Sequence, residues 1–265
     1  TLAQINLSFN ESSLANISFL WDGINYTAYN KSLILMMNFD NISELGENTT
    51  FVTDHSTYNN SGSMVADTNI NETQIRHGTG AIDFDGTGDY LTIADDDSLK
   101  AMSAITFSFW VYPRAIGDTG FIDKKRDAEW NIHHSSGNGV RFEGKVGGGR
   151  VLKFTADTEL TINTWTHVIV TYDNATGKAI YYNGENQTIT IDNDANGSID
   201  TGTNAVSIGR LHDCCNLNGI MDDVMIWNRT ITANEANFTY QSTLRRKNTT
   251  FWEFYFNRTL ANNQN

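Results

Sequence analysis

The residues able to do chemistry in this 265-residue sequence are few and unusually placed. Cys214 and Cys215 are adjacent, and neighbouring Cα atoms lie about 3.8 Å apart, below the usual disulfide range. Three states stay open: a strained vicinal bridge, a bond to another chain, or free thiols, the last disfavoured in an oxidising compartment. His133 and His134 offer imidazoles to a metal, yet successive residues on a strand point to opposite faces, so the pair reads as polar packing. Glycoside cleavage needs two carboxylates flanking the bond. The nearest approach is Asp123 to Glu129, at the wrong spacing and with three basic residues between them. With no serine elbow, Cys/His pairing or phosphate loop either, the sequence predicts a non-catalytic protein.

The most abundant chemistry is Asn-x-Ser/Thr. Sixteen acceptors occur: Asn6, Asn10, Asn16, Asn25, Asn30, Asn41, Asn48, Asn59, Asn71, Asn174, Asn186, Asn196, Asn228, Asn237, Asn248 and Asn257. With 31 Asn and 48 Ser and Thr in the chain, random placement gives roughly 6 such motifs, which mark exposed, secreted surface. The excess predicts an extracellular, N-glycosylated protein. Several acceptors carry an apolar middle residue: Leu7, Ile17, Tyr26, Ile42 and Phe238. On a strand such a residue turns inward while Asn and Ser/Thr turn out. No acceptor falls between Asn71 and Asn174, which leaves a glycan-free face for a ligand or another subunit. Trp130, Arg141 and Arg150 lie in that stretch; an exposed Trp beside Arg suits sugar stacking or a protein contact, and core packing is the alternative for Trp130.

Composition bounds the rest. There are 18 Lys and Arg against 31 Asp and Glu, a formal charge of −13, and the sequence pI is near 4.7. A phosphate-binding surface needs clustered cations, and the one close cluster is Arg245, Arg246 and Lys247, so nucleic acid is excluded. The longest apolar run, Leu33 to Met37, falls far short of the roughly 20 residues that span a bilayer. Thr1 starts neither a new chain nor a signal peptide and reads as the start of a processed or excised segment. A 39% hydrophobic content suffices for one sizeable core, with or without a small second one.

Period-2 alternation dominates, as in Ala104 to Tyr112 and Thr164 to Tyr172, with strands bounded by Gly, Asp and Asn turns. One short helix is expected at Ala236 to Tyr240, behind a capping box of Thr232 and Glu235. Asp22-Gly23 between alternating segments predicts a hairpin over 16–29. The last segment, TTFWEFYFNRT, also reads as a strand, with large apolar groups on both faces that must be covered by a neighbouring chain or by the N-terminal hairpin.

Four segments, LILMMNFDN, GTGAIDFDGTGDYLTI, NTWTHVIVTYDNATGKAIYYNGE and AVSIGR followed by LNGIMDDVMIWNRTITANEA, resemble the laminin G-like, concanavalin A-like jelly-roll family from about Ser32 to Ser242. The flanks resemble the surroundings of such domains in archaeal surface proteins. The resemblance implies an all-β, antiparallel two-sheet sandwich over 33–243, and the strand-like ends, 1–32 and 244–265, are expected to form an accessory β element or inter-subunit contacts. It implies a module that binds glycans or proteins, and self-association through the terminal strands is the alternative. It also implies a structural Ca²⁺ where the first and last strands run together, at Asp40 and Asp222 or Asp223, with Asp54 near the same corner. The rival reading is that Asp85, Asp89, Asp222 and Asp223 satisfy turn amides. His167 matches a structural position of the family.

Overall fold

A computed structural model describes residues 2–211 and 214–259. In chain order the strands are β1 (Leu2–Asn10), β2 (Ile17–Trp21), β3 (Ile24–Tyr29), β4 (Leu33–Met37), β5 (Phe51–Val52), β6 (Gly62–Val65), β7 (Asn69–Asn71), β8 (Ala81–Asp85), β9 (Tyr90–Ile93) and β10 (Ala104–Pro113). They continue as β11 (Thr119–Lys124), β12 (Trp130–His134), β13 (Val140–Val146), β14 (Arg150–Ala156), β15 (Thr166–Asp173), β16 (Gly177–Tyr182), β17 (Glu185–Asn186), β18 (Ile189–Asp194), β19 (Val206–Ile208) and β20 (Asn218–Trp227). Helix α1 (Ala233–Gln241), β21 (Ser242–Arg246) and β22 (Phe251–Thr259) complete the described chain. No helix among the described residues is long and apolar enough to cross a membrane.

All strand pairings within the sheets are antiparallel, and two large sheets face each other. One has eight strands in the order β17-β16-β15-β10-β20-β8-β7, with β4 also on β20; the other has nine, β18-β14-β13-β12-β11-β19-β9-β6-β5. The expected two-sheet sandwich is the fold. Alternation explains why these sequences choose sheets: in β13 the burial runs strictly in and out, with Val140, Phe142 and Val146 inside and Arg141, Glu143 and Lys145 outside. The main core is lined by Phe107, Phe109, Trp130, Phe142, Phe154 and their neighbours. β4 is apolar on both faces, and β10, with Thr106 and Ser108 on its outer one, is buried on both, because both faces are covered.

A second core covers the outer face of the eight-stranded sheet. Tyr26, Tyr29, Leu33, Met36, Met225, Trp227, Phe238, Leu244, Trp252, Phe254 and Phe256 form it. The hairpin β2–β3 turns at Asp22 and Gly23, both with positive φ, as its Asp-Gly sequence requires. The capping box is present as expected: Thr232 Oγ1 accepts from the Glu235 amide while the Glu235 carboxylate accepts from the Thr232 amide.

The chain ends form the expected accessory sheet, with a different pairing partner for the terminal strand. β22 is the centre of a three-stranded sheet, β1-β22-β21, within the one chain. It does not hydrogen-bond to the hairpin; Phe19 of the hairpin instead packs against Phe254 and Phe256 at 5.6 and 5.5 Å. Its faces are unequal, Trp252, Phe254 and Phe256 being buried while Glu253, Tyr255 and Asn257 alternate with them at half-burial. β1 alternates cleanly, Ala3, Ile5, Leu7 and Phe9 against Gln4, Asn6, Ser8 and Asn10, but nothing local to it names β22 as its partner.

Candidate functional site

The four carboxylates expected to hold a cation do not converge. Among the described residues, their ligand atoms form no group of three within 4.8 Å. Asp40 is taken by Arg245, whose Nε donates at 3.0 Å, and by the Thr79 amide at 2.6 Å. Asp54 sits elsewhere, accepting from the amides of Met36, Ser56 and Asn60 and from Ser56 Oγ. Asp222 and Asp223 stand at a β-bulge in β20, where Asp223 has φ +47°. Asp222 accepts from the amides of Arg76 and His77, and Asp223 lies 2.6 Å from His77 Nδ1. Burial pushes the Asp222 carboxyl well up, with the neighbouring Asp223 adding to it. Burial also opposes the charge on Asp223, yet the His77 hydrogen bond and charge outweigh it and hold Asp223 low. The amide reading holds for Asp222, whereas Asp223 is satisfied by the side chains of His77, Asn38 and Thr243. A cleft of about 360 Å³ opens beside them, lined by Arg76, His77, Tyr240, Gln241, Tyr255 and Asn257.

Trp130 is a correction. It is fully buried, 4.8 Å from Phe107 in the main core, and cannot stack on a sugar. Arg141 and Arg150 do reach solvent: Arg141 Nε donates to Thr155 Oγ1 at 2.7 Å, and Arg150 is exposed beside Asn196. Glu129 is spent on a buried pair with Lys124 at 2.8 Å, while Asp123 points to the opposite face of β11, so the two carboxylates do not face one bond. Cys214 and Cys215 are joined to each other in a loop whose Cys215 carbonyl accepts from the Gly120 amide of β11.

Sheet register assembles what the linear sequence scattered. Cross-strand partners share a face, so the pairs Asp123–Asn131, His133–Arg141, Asn131–Glu143 and Glu143–Lys153 place those residues on the outer face of the nine-stranded sheet. Arg126 folds over it, 3.8 Å from Glu143. At the centre His133 is 2% exposed, its Nδ1 2.6 Å from Asn131 Oδ1. Burial, then the charges of Arg141 and Arg126, pull its pKa down to about 3, so the ring is neutral. Residues 119–156 hold seven Lys and Arg against four Asp and Glu, a net +3 within a chain of −13.

None of the sixteen acceptors lies on a strand of this sheet, whereas β1, β3, β7, β17, β22 and α1 each carry at least one. None of the sixteen is buried, and eleven are exposed outright. The inward middle residue holds for Tyr26 and Phe238, the latter on the helix, and in part for Ile17. It fails for Leu7, which is 47% exposed on the open edge strand β1. Ile42 is half-buried in a loop, so its alternation never applied.

A profile of the concanavalin A-like lectin/glucanases superfamily matches residues 85–237. No match was found among curated proteins. Similar solved structures include the binding domain of Paraclostridial Mosquitocidal Protein 1, with TM-score 0.62 and 14% identity over 79% of this chain and 52% of that one. The botulinum neurotoxin serotype D ligand binding domain in complex with N-acetylneuraminic acid gives 0.59 and 16%, over 79% and 50%. Domain 4 of AbnA, an extracellular arabinanase from Geobacillus stearothermophilus, in complex with arabinotriose, gives 0.55 and 17%, over 78% and 97%. The chain thus spans about half the length of the two toxin domains. These identities speak to shared fold, while the profile covers more than half of the sequence: the chain belongs to the concanavalin A-like lectin/glucanases superfamily.

Proposed function

We propose that the protein is a secreted, N-glycosylated, non-catalytic binding module of a cell surface, which holds an acidic glycan against the outer face of β12 to β14. The observation that carries this reading is the coincidence of two patterns. The one sheet whose strands lack acceptors is also the one whose outer face gathers Arg126, Arg141, Lys145 and Lys153 in an otherwise acidic protein. Glycans elsewhere would leave this face open, and guanidinium groups recognise carboxylates in pairs of charge-assisted hydrogen bonds. The sugar complexes of two structural neighbours favour a glycan over a protein.

Calorimetric titration with oligosaccharides ending in a carboxylated sugar, against neutral ones of equal length, tests it. Binding of the acidic series should weaken with added salt and fall at least about tenfold in Arg126→Ala/Lys153→Ala, the loss of two charge-assisted contacts. Equal binding of the neutral series, or an unaffected double variant, would remove the face from the mechanism. Mass provides a separate check. Protein from its native source should weigh well above the 29.6 kDa of the polypeptide and return to it on deglycosylation. A bare polypeptide mass would overturn the extracellular reading.

The alternative of a self-assembling subunit draws on the open edge of β1, which has a partner on one side only, and on the exposed Leu7, Leu20 and Ile24. Against it, Asn6 and Asn10 lie on the same strand, where glycans would block edge-to-edge pairing.

A further inference from the structure

Asp67, Asp85 and Asp89 belong to no interaction described so far. Asp67 stands in the turn between β6 and β7, just after Ala66, which has φ +59°. Asp85 ends β8, and Gly86 and Gly88, at φ +93° and +83°, bend the chain back to Asp89 before β9. Ligand oxygens of the three carboxylates all lie within 4.8 Å of one another. Turn amides use only part of their capacity: Asp85 Oδ1 accepts from the Thr87 amide at 2.6 Å, and Asp89 Oδ2 from the Asp85 amide at 2.9 Å.

An acidic cluster alone would be unremarkable on a chain of −13. The second observation is Asp89 itself. It is 1% exposed, and its Oδ1 is buried without a hydrogen-bond partner. A buried oxygen left bare loses its hydration without return. The Asp67 carboxyl faces that of Asp89 at hydrogen-bonding distance, two acceptors with nothing to donate between them once ionised. Among the described residues no Lys, Arg or His pairs with any of the three.

We infer that Asp67, Asp85 and Asp89 form a Ca²⁺ site. Carboxylate oxygens suit a hard cation. Ca²⁺ takes about six to eight oxygens in a flexible shell, whereas Mg²⁺ demands a near-ideal octahedron and keeps several of its waters. Three carboxylates brought together from two separate turns suit the flexible shell of the larger ion. Each of the two turns links a strand of the nine-stranded sheet (β6, β9) to one of the eight-stranded sheet (β7, β8), so a bound ion would tie the sheets together at one end of the sandwich.

The test is calorimetric titration of chelator-treated protein with CaCl₂, together with its melting temperature in CaCl₂ and in EDTA. One equivalent of Ca²⁺ should bind and raise the melting temperature by mass action on the folded state. Asp67→Asn is the informative variant, because Asp67 is exposed and receives no hydrogen bond that folding needs; it should weaken Ca²⁺ at least about tenfold by removing ligand charge. Asp97→Asn, at a fully exposed carboxylate, serves as the control and should bind as the wild type does. Absence of binding at millimolar Ca²⁺, or equal affinity in Asp67→Asn, would overturn the site. An equal response to Mg²⁺ would overturn the choice of ion.

Discussion

Lowering the pH from 7 to 5 is expected to cost about 2 kcal/mol at each of three buried histidines, on the order of the protein's whole stability when combined. His55, His133 and His167 are each 2% exposed, and burial is the first cause that pulls all three down from 6.5 to about 3. The folded protein therefore keeps these rings neutral while the unfolded chain protonates them. Since the unfolded state binds more protons, stability is complete above about 6.5 and is lost as the pH falls towards 3. His55 Nε2 stands 3.9 Å from Glu47, but burial pushes that carboxyl up, so it supplies no full countercharge. His167 Nε2 meets Ser108 Oγ at 2.9 Å and its Nδ1 meets nothing. Asp54 and Asp222, with raised carboxyls, take up protons in the folded state and act in the opposite direction. The difference between variants isolates the histidine contribution. Melting temperatures of wild type, His55→Phe and His167→Gln at pH 7 and pH 5 decide it. Each variant should show a smaller drop than the wild type, and drops of equal size would refute the assignment.

Trp252→Ala is expected to destabilise the protein by about 3–5 kcal/mol, as a large side chain removed from a packed core does. The terminal strand is not a loose appendage. Trp252 is 1% exposed, meets the Tyr29 ring edge-on at 5.8 Å, lies under the Arg246 guanidinium at 5.3 Å and donates from Nε1 to the Glu11 carbonyl at 2.9 Å. Leu7→Ala, at a 47% exposed side chain, should change stability by no more than about 0.5 kcal/mol. Deleting residues 249–265 removes the middle strand of the β1-β22-β21 sheet and uncovers Leu33, Met36, Met225 and Trp227. The truncated chain should aggregate or lose cooperative unfolding in denaturant titration. A truncated protein that melts like the full chain would show that the second core contributes nothing to the sandwich.

Much of the architecture was legible because it is local. The strand at 104–113 announces itself by β-branched and aromatic alternation, the hairpin by Asp22-Gly23, and the helix by Thr232 and Glu235. Each depends on neighbours within a few residues, and the structure keeps all three. β1 alternates as plainly, Ala3, Ile5, Leu7 and Phe9 against Gln4, Asn6, Ser8 and Asn10, but its place in a sheet depends on β22, some 250 residues away.

The candidate sites were far less legible. Asp40 looked like a ligand beside Asp222 because the first and last strands do pair, Met37 opposite Val224. What settles its role is Arg245, which arrives from β21 and supplies the positive charge. Trp130 looked available because strand alternation gives it one face or the other, and only the packing of two sheets makes its face the interior. The sequence showed one basic cluster, at 245–247. Arg245 is spent on Asp40, and Arg246 donates to the carbonyls of Asn248 and Thr249.

By itself, then, the sequence determined the all-β class, the turns, the capped helix and the abundance of exposed Asn acceptors, because period, turn chemistry and motif spacing act over a few residues. Tertiary structure alone decided which carboxylates meet a cation from elsewhere in the chain and which, like Asp67 and Asp89, meet each other. It also decided that Arg126, Arg141 and Lys153 share a face of the one sheet whose strands carry no acceptor. Register between distant strands sets those neighbours, and charge and burial are properties of neighbours in space.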